Sequence, residues 1–170
     1  AANLDLVFIV SSMNRDFNPR RLERYLAAVH AGGATPVIVL TKADLVIGRE
    51  ARFLSQIPPG VETLVTSVVL GLGIDALRAR LAPGRTVCFV GSSGAGKSSL
   101  VNAIVGEEVM ETGGVRFDDD RGRHTTTRRE LKVFDLGVLV DTPGMRELGL
   151  VDGAGLDEVF SDIVEAASRC

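Results

Sequence analysis

The stretch "GSSGAGKSS", residues 91 to 99, satisfies G-x-x-x-x-G-K-[ST] at every fixed position. It follows the apolar run "TVCFV" (86 to 90) and opens the helix-forming run "KSSLVNAIVG", so strand, glycine loop and helix come in the order that a phosphate-cradling loop requires. Glycines let the backbone wrap closely, and successive N–H groups converge with the positive end of the following helix on phosphate oxygens. Nucleotide contacts are therefore expected from Gly91, Ser92, Ser93, Gly94, Ala95, Gly96, Lys97, Ser98 and Ser99. Lys97 would reach the outer phosphates as a point charge and is expected to act in catalysis, and the Ser98 hydroxyl would ligate Mg²⁺. Such a loop normally follows the first strand of its domain, whereas here ninety residues precede it.

Those residues carry the same alternation of strand-length and helix-period segments as the loop's own surroundings. Apolar runs stand at 4 to 10, 36 to 40, 61 to 65, 86 to 90, 131 to 136 and 137 to 141. Helical periods fit "PRRLERYLAAVHA", with Leu22, Leu26 and Val29 on one face, and also 49 to 57, 74 to 81, 97 to 105 and 156 to 168. The pattern predicts an α/β fold: a three-layer P-loop NTPase domain with a mostly parallel sheet. The last two strands follow each other too closely for a helical crossover, so they should form a hairpin that leaves one antiparallel edge. Residues 107 to 128 are polar, glycine-containing and long, which in a compact domain points to a functional loop.

Composition narrows the class. With 170 residues, 45% hydrophobic and 24% charged, the chain suits one soluble domain with a full core. A net charge of −3 argues against nucleic-acid binding by bulk positive charge, and a local basic patch remains open. No apolar run approaches the roughly 18 to 20 residues that cross a bilayer, and no secretory leader opens the chain. Two distant cysteines, Cys88 and Cys170, do not make a disulfide framework, which is consistent with a reducing, cytoplasmic setting. Cys88 reads as a core residue and His30 as a surface residue of a helix.

Two further stretches complete a nucleotide site. In "VLVDTPG", Asp141 follows three apolar residues and would hold Mg²⁺ through water, while Gly144 would offer its N–H to a γ-phosphate. In "VIVLTKADL", Thr41, Lys42, Ala43 and Asp44 stand at the carboxyl end of a strand, where ligands bind in open α/β sheets. A fixed carboxylate accepts from N1–H and the exocyclic amino group of guanine, and adenine offers neither donor there. Asp44 therefore selects guanine. A backbone N–H near Ser67 and Val68, in "VTSVV", is placed to reach guanine O6.

The order of these elements is base carboxylate, O6 contact, phosphate loop, long polar loop, then "DTPG", so the chain reads as a circularly permuted GTPase. It resembles the ribosome small-subunit-dependent GTPase A family (RsgA, or YjeQ) over essentially its whole length. The stretches that carry the likeness are "ANLDLVFIV", "FNPRRLERYLAAV", "PVIVLTKADL", "GLGIDALRARL", "FVGSSGAGKSSLVNAI", "GRHTTTRREL", "LVDTPGMRELGL" and "VFSDI". Mapped onto a GTPase sheet, the strands fall in the spatial order 131–136, 137–141, 86–90, 4–10, 36–40, 61–65. The base motif usually begins with Asn in this family and begins here with Thr41, which leaves Asp44 to discriminate and is expected to cost affinity.

The resemblance implies a GTP-binding, GTP-hydrolysing factor in late maturation of the small ribosomal subunit, with hydrolysis stimulated by the subunit. It implies Mg²⁺ with GTP or GDP as cofactor, contact with the subunit and its rRNA, a monomer, and no membrane. Position 145 is Met, where many GTPases place a water-orienting Gln, and the family's proposed substitute is a loop histidine that maps onto His124. Thr127, with Thr126 next, is favoured to bring a hydroxyl to Mg²⁺, and Arg121, Arg123, Arg128 and Arg129 to meet rRNA phosphates. Residues 1 to 169 would be the permuted GTPase domain, without the OB-fold that precedes it in the family. Cys170 matches the first ligand of a zinc-binding segment, so Zn²⁺ is expected only in the full-length protein, one Cys being too few for a tetrahedral site. Two alternatives stay open: a non-catalytic guanine-nucleotide switch, and another permuted ribosome-assembly GTPase. Asp44 disfavours an ATP-binding protein.

Overall fold

The computed structural model describes residues 4–106, 130–134 and 137–141, the last two segments through their backbone pairing. Along β1 (Leu6–Ser12) every residue is buried, as expected for the central strand of a sheet covered on both faces. It pairs in parallel with β2 (Thr35–Thr41) on one side, Leu6 opposite Thr35 through Ser12 opposite Thr41. On the other side it pairs in parallel with β4 (Thr86–Gly91), Leu6 opposite Val87 through Val10 opposite Gly91. β3 (Thr63–Val65) joins β2, while β6 (Gly137–Asp141) joins β4, both in parallel. β5 (Glu130–Phe134) pairs antiparallel with β6 at the edge. The order β3-β2-β1-β4-β6-β5 is the one expected for the permuted sheet.

The period-two alternation of the strands sorts the core into two clusters. Leu6, Phe8 and Val10 of β1 share one face with Val37, Val39, Val87 and Phe89, under α3 (Ile74–Arg78) and α4 (Lys97–Val105), which contribute Leu77, Leu100, Val101 and Ile104. Val7 and Ile9 share the opposite face with Ile38, Leu40, Cys88 and Val90, under Leu22, Tyr25, Leu26 and Val29 of α1 (Pro19–Ala31). Each fully buried Phe, Leu or Ile of this kind contributes roughly 1.5–3 kcal/mol. α1 starts where the Asn18 side chain accepts from the Arg21 N–H, with Pro19 in the first turn, and ends at Gly32. α4 matches its sequence range to the residue.

The weaker helices are shorter than their periodicity suggests. In place of a helix over 49 to 57 stands the single turn α2 (Ala51–Leu54), with no buried residue. Its anchor is the single half-buried Phe53, edge-on to Phe17, and Pro58 biases Ile57 away from helical geometry. α3 stops at Arg78 and tightens into turns in which Arg80 and Leu81 donate to Leu77 and Arg78, three residues back. β5 is described over Glu130–Phe134, and residues 135 and 136 of the expected strand lie outside the described residues. The helix expected at 156 to 168 and the long loop lie outside the described residues.

Candidate functional site

β4 delivers the phosphate loop beside β1. Gly91 has φ +151, and a Cβ built on it would stand 2.2 Å from the Val10 carbonyl oxygen. Only glycine lets the chain turn off the sheet so close to its neighbour. Gly96, with φ 97, caps the start of α4. Between them Ser93 and Gly94 are exposed and Ala95 is buried. The Lys97 ammonium donates to the carbonyls of Gly91 at 2.9 Å and Ser92 at 2.8 Å, which holds its charge inside the loop at the amino end of α4. There it adds to the helix-end field that favours an anion. Ser98 and Ser99, both half-buried, occupy the first turn of α4.

The base motif leaves the end of β2 on the same side. Lys42 takes the left-handed conformation, φ 61, and among the described residues no other non-glycine has positive φ. This kink starts the 3₁₀ turn Ala43–Leu45 that carries Asp44. The buried Ala43 donates its N–H to the Thr66 carbonyl at 3.1 Å. Two side chains then tie the motif to the phosphate loop: Thr41 Oγ1 donates to the Ala95 carbonyl at 2.6 Å, and Lys42 Nζ to the Gly94 carbonyl at 2.8 Å. Thr41 thus bridges base motif and phosphate loop directly.

Asp44 is oriented by Ser67. The Ser67 hydroxyl donates to Asp44 Oδ1 at 2.5 Å and accepts from the Leu70 N–H at 3.2 Å. The Ser67 amide donates to the Leu72 carbonyl at 3.0 Å in an isolated antiparallel bridge. Of the two residues near which an N–H was expected to reach guanine O6, Ser67 thus has its N–H engaged within the protein. Ser67 acts on the base carboxylate through its side chain instead. An open cleft of about 360 Å³ joins these parts, lined by Thr41, Lys42, Asp44, Leu45, Thr66, Val68 and Val69 from the base side and by Gly96, Ser99 and Leu100 from the phosphate loop and its helix. Its size falls within the range of small-molecule sites.

The Asp141 backbone ends β6 opposite Phe89, two residues before Gly91 on the neighbouring strand. The magnesium candidates Asp141 and Ser98 therefore flank the start and the end of the phosphate loop, respectively. His124, Thr126, Thr127, Gly144 and Cys170 lie outside the described residues, as do Arg121, Arg123, Arg128 and Arg129. Among the described residues no three His, Cys, Asp or Glu side chains gather as a metal centre, and no helix is long and apolar enough to cross a membrane.

Sequence reasoning passed over Thr66 and Asp16. Thr66 is fully buried, and its Oγ1 donates to the Leu40 carbonyl at 3.1 Å, which fastens the end of β3 to β2 beneath the cleft. Asp16 accepts from the Ser92 hydroxyl at 2.7 Å. The Asn-x-Asp spacing of an Asx turn at 14 to 16 was the available signal.

A family model described as "RsgA GTPase" matches residues 1–151. The chain belongs to the RsgA GTPase family. It is 49% identical to the small ribosomal subunit biogenesis GTPase RsgA of Methanosarcina acetivorans, over all of this chain and 47% of that protein. It is 47% identical to RsgA 2 of Lactiplantibacillus plantarum, over all of this chain and 49% of that one. The chain thus spans about half the length of the curated RsgA relatives it matches. Among solved structures, it superposes on YloQ, described as a circularly permuted GTPase, with a TM-score of 0.64 at 26% identity, covering 99% of this chain and 55% of that one. YjeQ from Thermotoga maritima shares the fold at the same TM-score and 24% identity, covering 98% and 66%.

Proposed function

We propose that this chain is the guanine-nucleotide-binding and hydrolysing part of a factor that acts in late maturation of the small ribosomal subunit, with hydrolysis stimulated by that subunit. The observation that carries the reading is the shared cleft. Asp44, held by Ser67, lines the same opening as Gly96 and Ser99, and two side-chain bonds lock the base motif to the phosphate loop. A carboxylate there recognises the N1–H and amino edge of guanine, while the loop amides and Lys97 take the phosphates.

Mg²⁺ fits the donors available. Ser98 stands in the first turn of α4, and Asp141 ends the strand beside the phosphate loop; hard oxygen ligands with phosphate oxygens completing the shell suit this ion. It would neutralise charge on the outer phosphates. Thr127 or Thr126 would add a hydroxyl, Gly144 an N–H to the γ-phosphate, and His124 would orient the attacking water. The arginines around 121 to 129 would read rRNA phosphates, and so couple loop closure to the ribosome. The factor works as a cytoplasmic monomer away from membranes, residues 1 to 169 forming its permuted GTPase domain, and Cys170 opens a zinc segment in the full-length protein. The names of the curated relatives support the ribosomal assignment.

The test is GTP hydrolysis by the full-length protein with and without small ribosomal subunits, for wild type and for His124→Ala. Stimulation in the wild type that is lost in the variant is expected. Equal rates in all four samples would overturn the ribosome-stimulated histidine mechanism, and equal affinity for GDP and ADP would overturn the nucleotide assignment itself.

A further inference from the structure

The phosphate loop is held from a second side, by residues that belong to no nucleotide motif. After β1 the chain makes a tight turn in which Asn14 Oδ1 accepts from the Ser12 hydroxyl and from the Asp16 N–H, both at 2.9 Å. Arg21, one turn into α1, donates through Nη2 to the Asp16 carboxylate at 2.9 Å and to the Asp16 carbonyl. Backbone N–H, backbone carbonyl and carboxylate of Asp16 are thus all fixed, although its side chain is 49% exposed. The second donor to the same Oδ2 is the hydroxyl of Ser92, 76 positions away. Ser92 is also the residue whose carbonyl anchors Lys97 Nζ.

From this geometry we infer that Asp16 is a positioning residue for nucleotide phosphate binding: through the Ser92 hydroxyl it sets the peptide that holds Lys97. A bare carboxylate beside a phosphate site would repel the ligand, and the Arg21 guanidinium offsets that charge. The turn therefore supplies a strong acceptor without a net negative field. The base motif grips Ala95 and Gly94, and Asp16 grips Ser92, so the loop is braced at both ends of its exposed tip. Preorganised this way, its amides meet the phosphates with less ordering to accomplish on binding.

The inference rests on the nucleotide reading of the loop, and the experiment separates the two. Magnesium-GDP is titrated by calorimetry into the full-length protein as wild type, Asp16→Ala, Asp16→Asn, Ser92→Ala and the Asp16→Ala/Ser92→Ala double variant. Thermal unfolding of each is recorded without nucleotide. Asp16→Ala and Ser92→Ala should each weaken GDP about five- to tenfold, with the double variant no weaker than either, the mark of a single shared contact. Asp16→Asn retains an oxygen acceptor and should stay within about twofold of wild type. Ser92→Ala touches only a loop hydroxyl and carries the test alone if Asp16→Ala fails to fold. Unchanged GDP affinity, losses that add in the double variant, or an Asn variant as weak as the Ala variant would overturn the role of Asp16. A wild type that does not bind GDP would instead overturn the nucleotide assignment.

Discussion

Replacing Thr41 by Val keeps the branched shape of the residue and removes only the hydroxyl. Thr41 is 4% exposed, and the Ala95 residue whose carbonyl receives its proton at 2.6 Å is 0% exposed. In Thr41→Val that carbonyl faces a methyl group with little access to water. A buried acceptor stripped of its partner costs about 1–3 kcal/mol. Taking about 2 kcal/mol as the centre, a domain of this size should melt ~4–8 °C lower. The bond also spans base motif and phosphate loop, so GDP affinity should fall with it, and Thr41→Ser, which keeps the donor, should recover most of both. Thermal unfolding followed by circular dichroism, paired with GDP titration, measures the two effects. A Val variant that melts within about 1 °C of wild type and binds GDP equally well would refute the claim that this hydroxyl braces the site.

Three other outcomes are expected. Gly91→Ala would drive a Cβ against the Val10 carbonyl of the central strand at a φ that L residues avoid, so expression should yield little folded protein or a loss of several kcal/mol, roughly the strain of a glycine-only conformation plus a clash, read by urea unfolding. Ser67→Ala frees Asp44 to change rotamer, and the ratio of GDP to ADP affinity should drop about tenfold, from loss of one charge-assisted hydrogen bond, with little change in unfolding midpoint. Burial raises the Tyr25 hydroxyl above its ordinary value of 10, against the nearby Arg21 and Arg24 charges, which lower it. The folded state therefore holds that proton longer than the unfolded state, so the stabilisation is complete below pH 10 and is lost as pH climbs through the folded value; Tyr25→Phe should flatten this alkaline decline in stability.

What the sequence disclosed followed from how local each signal is. The phosphate loop and α4 were legible because strand, glycines, Lys97 and helix are contiguous, and the alternation within β1, β2 and β4 specifies two buried faces without further information. The strand order was legible only through the permuted motif order, since nothing local in "LDLVFIV" says that β2 and β4 flank it. The braces were not legible. Thr41 to Ala95, Lys42 to Gly94 and Asp16 to Ser92 join positions 54, 52 and 76 residues apart, and a hydroxyl or carboxylate carries no mark of so distant a partner. Helix lengths at 49 to 57 and 74 to 81 were overread because apolar periodicity continues to Ile57 and Leu81, which both pack on the core, after the backbone has left the helix for turns. The pairing of the Ser67 amide with Leu72 was hidden for a related reason, Leu72 lying in a loop with no strand pattern.

The sheet order also has a consequence for synthesis. β1, β2 and β3 are neighbours in space and leave the ribosome before β4, so this half of the sheet can assemble while β4 is still being made. Until β4 arrives, one entire flank of β1 stays open, with the apolar residues of the future molecular centre lying along it. Exposed edges of this kind recruit other nascent chains. Rearranging the order of a GTPase thus moves the hazard of mispairing from the rim of the sheet to its middle, where a delay in elongation between residues 66 and 86 would matter most.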